Sequence, residues 1–146
     1  MKIKIIMLAL LCSACTEKPL STQETQNLLS QYTWAYTPPN SEIPIEITFK
    51  DNQLGAYTSC NYMGSPYKIV EQQIMTQSSF LSDAMGCPPH LEKQESFIKD
   101  FFEQPVAFKI TSRSTQHPKL IFQKDQQEYI FVGTKLSQKN KNPNGE

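Results

Sequence analysis

Cys60 and Cys87, followed by Glu95, are the residues whose types and spacing carry chemical options in this 146-residue chain. A cysteine pair can bridge, ligate a metal or supply a nucleophile, and its neighbours decide which. Nucleophilic attack requires a base, and His90, shortly after Cys87, is the sequence-local candidate. A transition-metal set of Cys60, Cys87 and His90 is one ligand short of a tetrahedral site, and His117 stands in a separate loop. Glu92 and Glu95 are a possible carboxylate pair. On a helix, however, Glu92 falls on the polar face while Glu95 borders the apolar stripe, so the two do not flank one scissile bond. P-loop, G-x-S-x-G and dinucleotide fingerprints are lacking. The reading therefore assigns no catalytic residue, no metal and no cofactor, and leaves Cys60 and Cys87 as either a disulfide or a pair of thiols.

The start of the chain bears on that choice. Lys2 and Lys4 precede the apolar run from Ile5 to Leu11, and small Ser13 and Ala14 precede Cys15. This is the order of a secretory signal peptide, too short to remain as a spanning helix. Small residues before a cysteine look like a lipobox, although Cys12 stands where Leu is usual. The expectation is a signal peptide over 1–14 and a lipid on Cys15, anchoring the protein to a membrane. Thr16 is not the Asp that commonly holds lipoproteins in the inner membrane, so the expected address is the outer membrane, facing the periplasm. Cys12 and Cys15 form a C-x-x-C only by adjoining this leader. In an oxidising compartment paired cysteines bridge, which favours a Cys60–Cys87 disulfide.

Elements must then position these residues. Residues 15–27 are polar with Pro19 and read as a flexible tether, and 28–136 read as one domain. Tyr32–Tyr36 and Ile45–Phe49 alternate large and small or apolar and polar residues, the period of a half-buried strand. Asp51-Asn52 and Glu71-Gln72 are turn positions, and Asn61 to Gly64 reads as a turn with positive φ at Gly64. Strands are expected at Tyr67–Val70, Gln73–Thr76, Val106–Thr111, Leu120–Gln123 and Tyr129–Val132, with an extended or irregular stretch over Ser78–Gly86. Pro88-Pro89 opens a helix whose stripe is Leu91, Gln94, Phe97, Ile98, Phe101 and Phe102, ended by Pro105. The fold expected is α+β: a curved, partly barrel-like antiparallel sheet of about eight short strands packed on one amphipathic helix. The tail over 137–146 reads as disordered. Lys plus Arg and Asp plus Glu are both 14, so no global field favours nucleic acid as partner.

Trp34, Cys60-Asn61 with Gly64 and Tyr67, Met85, Cys87-Pro88 and Glu95 together resemble the META/HslJ-like family of small bacterial envelope proteins. Ser59, Asp83 and Gly86 depart from the residues usual in that family. The resemblance implies structural roles for Trp34, Asn61, Gly64 and Glu95, with Glu95 accepting hydrogen bonds from the Asn61–Gly64 segment. It also implies a non-enzymatic, monomeric envelope factor with an unknown envelope protein as partner, in a family some of whose members are linked to stress responses. The alternative is a binder of acyl chains or small hydrophobic molecules.

Overall fold

The computed structural model describes residues 17–136; the leader, Cys15 and the tail over 137–146 lie outside the described residues. The strands are β1 (Tyr32–Tyr36), β2 (Ile45–Lys50), β3 (Gln53–Tyr57), β4 (Tyr62–Val70), β5 (Gln73–Thr76), β6 (Leu81–Ser82), β7 (Val106–Thr111), β8 (Lys119–Lys124) and β9 (Gln127–Lys135). Helix α1 is Thr22–Leu29 and α2 is Pro89–Phe101. The strand order is β3-β2-β1-β9-β8-β7-β5-β4, and β4 pairs back onto β3, so eight antiparallel strands close into a barrel. The ninth, β6, pairs with the first half of β4 through Met63↔Ser82 and Gly64↔Leu81, on the edge opposite β3.

Period two drives the closure. Ile45, Ile47 and Phe49 of β2 are buried while Glu46 and Lys50 are exposed, and the same alternation places Leu120 and Phe122 of β8 inside. Three two-residue hairpin turns, Asp51-Asn52, Glu71-Gln72 and Asp125-Gln126, have positive φ at both positions. That geometry matches the twist of the strands they join. Trp34 faces Gly133 across the β1–β9 ladder. A Cβ on Gly133 would stand 3.0 Å from both the Trp34 ring and Pro118, so the missing side chain makes room for the indole. The indole Nε1 donates to the Leu29 carbonyl at 3.0 Å, fixing the ring under α1.

Strand direction assigns the barrel two ends. One carries α1: the Asp51-Asn52 and Glu71-Gln72 turns, the β7–β8 loop and the close of β9 gather there, with the Leu136 amide bonded to the Gln31 carbonyl. At the other, α2 lies across the interior. Its Phe97 stacks on Tyr36 at 5.9 Å, and Phe101 meets Phe122 and Tyr129 edge-on at 5.5 and 4.9 Å. Lys124 Nζ reaches the carbonyls of Asp100 and Phe101, and Thr76 Oγ1 donates to the Phe102 carbonyl at 2.9 Å, closing off the helix terminus.

Three expectations change. Helix α1 begins inside the tether assigned to 15–27 and runs on to Leu29, because Ser21 and Glu24 form a capping box and Thr25 and Leu29 face the core. The turn assigned to Asn61–Gly64 falls earlier, with positive φ at Ser59, while Gly64 lies inside β4 opposite Gly55. No described glycine has positive φ. The strand expected from Tyr67 accordingly begins at Tyr62, since its first half pairs with β3 and its second with β5.

Candidate functional site

Beside the α2 end, the loop before β4 meets the start of the helix. Pro89 occupies the first turn of α2, where a missing N–H leaves no bond unmade. Cys60 and Cys87 are bridged, with their α-carbons 6.1 Å apart. The adjacent Asn61 is 4 % exposed and its amide group is fully engaged. Nδ2 donates to Glu95 Oε1 at 2.8 Å and to the Met85 carbonyl at 3.1 Å, and lies 3.1 Å from Cys87 Sγ. Oδ1 accepts from the Met85 amide at 3.2 Å. One short side chain thus joins the loop before β4, the segment before α2, and α2 itself.

Cys87 Sγ is 3.5 Å from Glu95 Oε1. A bridged sulfur has no proton to donate, so this is packing of sulfur against carboxylate. The two sulfurs and the carboxylate lie within 4.8 Å of one another. In the bridged state neither sulfur is a thiolate, the form in which cysteine attacks or ligates. The arrangement is a covalent and hydrogen-bonded knot.

The structure brings together Cys60, Asn61, Cys87 and Glu95 and leaves the other candidates elsewhere. Trp34 is wholly buried in the barrel, and Gly64 sits on its wall. His90 is exposed on the first turn of α2, and Glu92 is exposed while Glu95 is buried on the same helix. At the far end His117 Nδ1 lies 3.2 Å from the Gly133 carbonyl.

A profile of the META domain matches residues 23–135. The chain belongs to the META domain family. The META domain here is also similar in fold to two proteins of known NMR structure. One shares 13 % identity at a TM-score of 0.57, over 73 % of this chain and 92 % of its own. The other, from Burkholderia xenovorans, shares 11 % identity at a TM-score of 0.52, over 90 % of this chain and 97 % of its own. No curated protein sequence matches the chain.

Two features of this META domain escaped sequence reasoning. Gln94, placed on the apolar stripe, donates through Nε2 to the Ile43 carbonyl at 2.8 Å and to Ser41 Oγ at 3.2 Å. It ties the loop between β1 and β2 to α2, beside an open groove lined by Pro38, Pro39, His90, Lys93 and Phe97. The polar character of Gln94 within that stripe was the available signal. The second feature is an ion pair of Glu17 with Arg113, Oε2 to Nε at 2.8 Å, for which the sequence holds no local signal.

Proposed function

We propose that this META domain protein is a lipid-anchored envelope protein of the outer membrane that acts without catalysis, through contacts with an envelope protein partner. The observation that carries the reading is the filled barrel. Trp34, Phe49, Phe102, Phe122 and Phe131 are all fully buried and occupy the interior. Interiors packed with large rings have the density of organic crystals, whereas a carrier of acyl chains needs a cavity of several hundred Å³. The filled interior therefore favours protein contacts over the carrier reading. Around Cys60 and Cys87, the side chains that would do chemistry bond one another instead. The bridge itself agrees with export, since such bonds persist in oxidising compartments. The lipid on Cys15 is read from the leader, and stable attachment takes more than one acyl chain.

Metabolic labelling with a fatty-acid analogue, followed by membrane fractionation, tests the anchor. Wild type should carry label and sediment with membranes, and Cys15→Ala should lose both. Native mass spectrometry of the soluble domain tests the filled interior. Co-purifying lipid, or saturable binding of a hydrophobic dye, would overturn the protein-contact reading in favour of the carrier.

A further inference from the structure

We propose that the α1 end of the barrel rests on the bilayer surface, held there by a clamp between Glu17 and Arg113, with the β7–β8 loop among the lipid headgroups. This rests on the lipid-anchored reading above and adds to it an orientation and a contact surface.

The clamp is the key observation. Glu17 Oε2 accepts from Arg113 Nε at 2.8 Å, Glu17 Oε1 accepts from the Arg113 amide at 3.3 Å, and the Lys18 carbonyl accepts from the Arg113 guanidinium at 2.7 Å. Three bonds to one residue fix the segment across 96 positions of sequence. Ser21 and Glu24 then lock the following residues into the cap of α1. A chain pinned from Glu17 onward is no tether.

Chain geometry sets the consequence. Glu17 is two residues from Cys15, and an extended chain advances about 3.5 Å per residue, so the lipid-bearing α-carbon lies within about 7 Å of that of Glu17. The headgroup zone on each side of a bilayer is about 5 to 7 Å deep. An acylated Cys15 must sit at the base of that zone, which puts the clamp at its outer boundary. The barrel cannot stand further off while the clamp holds.

The surface so placed has suitable chemistry. The β7–β8 loop offers exposed Ser114, Thr115, Gln116 and His117, with Lys119 beside it and Lys18 on the clamped segment. The Thr115 hydroxyl is spent on the Ser112 carbonyl, while the Ser114 hydroxyl, the Gln116 amide and the ammonium groups of Lys18 and Lys119 can donate to phosphate oxygens. Of the acidic groups at this end, Glu17 is engaged by Arg113 and Glu24 by the Ser21 amide in the cap of α1, while Asp51 and Glu71 lie in other turns. The opposite end, with α2, the disulfide and the Phe97 groove, is turned away from the membrane. That end is left free for a partner.

Tryptophan fluorescence in vesicles tests the orientation. The full lipid-bearing protein, with Gln116→Trp in the β7–β8 loop or Gln104→Trp after α2, is reconstituted into phosphatidylethanolamine–phosphatidylglycerol vesicles containing brominated lipid. Wild type, whose single Trp34 is buried, supplies the baseline. Gln116→Trp should be quenched severalfold more than Gln104→Trp, and adding Arg113→Gln should bring the two together. Equal quenching at both sites, or none at either, in protein that mass spectrometry shows to be acylated overturns the orientation and leaves the anchor standing. Protein that carries no lipid and stays off the vesicles overturns both.

Discussion

Asn61 donates to Glu95 at 2.8 Å, and this bond joins the loop before β4 to the middle of α2 across 34 positions of sequence. Glu95 is 9 % exposed, so its carboxylate depends on that donor for much of its solvation. Asn61→Ala should destabilise the domain by about 1 to 3 kcal/mol, because it leaves a buried acceptor without its partner. Glu95→Gln keeps an oxygen for Asn61 and should lose less. A denaturant double-mutant cycle with Asn61→Ala and Glu95→Ala measures the coupling. Simple additivity would show that the two side chains act independently.

The bridge between Cys60 and Cys87 closes a loop with a sequence separation of 27. Loop-closure entropy for that span gives roughly 3 to 4 kcal/mol of stabilisation. Replacing both cysteines by serine should lower the urea midpoint by a corresponding amount, and reductant should shift the wild type but not the variant. Intact mass after alkylation in denaturant reads the bond directly. Two alkylated thiols in unreduced protein would refute it.

Gly133 faces Trp34, and a methyl group there meets the indole and Pro118 at 3.0 Å. Gly133→Ala should therefore cost about 1 to 3 kcal/mol by overpacking. Trp34→Phe in the same background removes the colliding ring and should recover part of the loss. Thermal melts of the single and double variants decide this. An unchanged melting temperature in Gly133→Ala would mean that the wall yields freely.

The Glu17 carboxyl titrates below its ordinary 4.5, chiefly because the Arg113 side chain donates to it; desolvation opposes this, and the Arg113 backbone amide and charge add smaller lowering contributions. A folded-state value below the unfolded one makes the clamp's contribution fully present above the ordinary value and lost as pH falls through the lowered one. The clamp should hold at neutral pH and release in acid. Nuclear magnetic resonance of the Arg113 Nε–H against pH reports it. Arg113→Gln should return Glu17 to the ordinary range.

Strands with alternating residues, such as Ile45–Lys50, were legible because one face of each is buried. The stripe of α2 and its proline start were legible for the same reason. Helix α1 was obscured by its overall polarity, although Ser21 and Glu24 announced its cap. It buries only Thr25 and Leu29, too few to form a visible stripe. Asn61 was misread as a turn residue because side chains of its kind favour turns, whereas here its amide bonds Met85 and Glu95. Pairing of β3 with β4 closes the barrel through a register that composition does not encode. Glu17 and Arg113 meet only because folding brings their distant segments to the same end.

Helix α2 is fastened at both extremities, by the Cys87 bridge before its first turn and by Lys124 and Thr76 at its last carbonyls. A helix so fastened cannot swing aside as a lid. Any fluctuation that bares Phe97 and Phe101 must also loosen β5, β8 and the loop before β4. Local opening there should approach the free energy of global unfolding, with helix and barrel melting together. Proteases cut chains that open in part. Resistance to digestion should then track the stability of the whole domain, and reductant, by opening the Cys60–Cys87 bridge, should lower both.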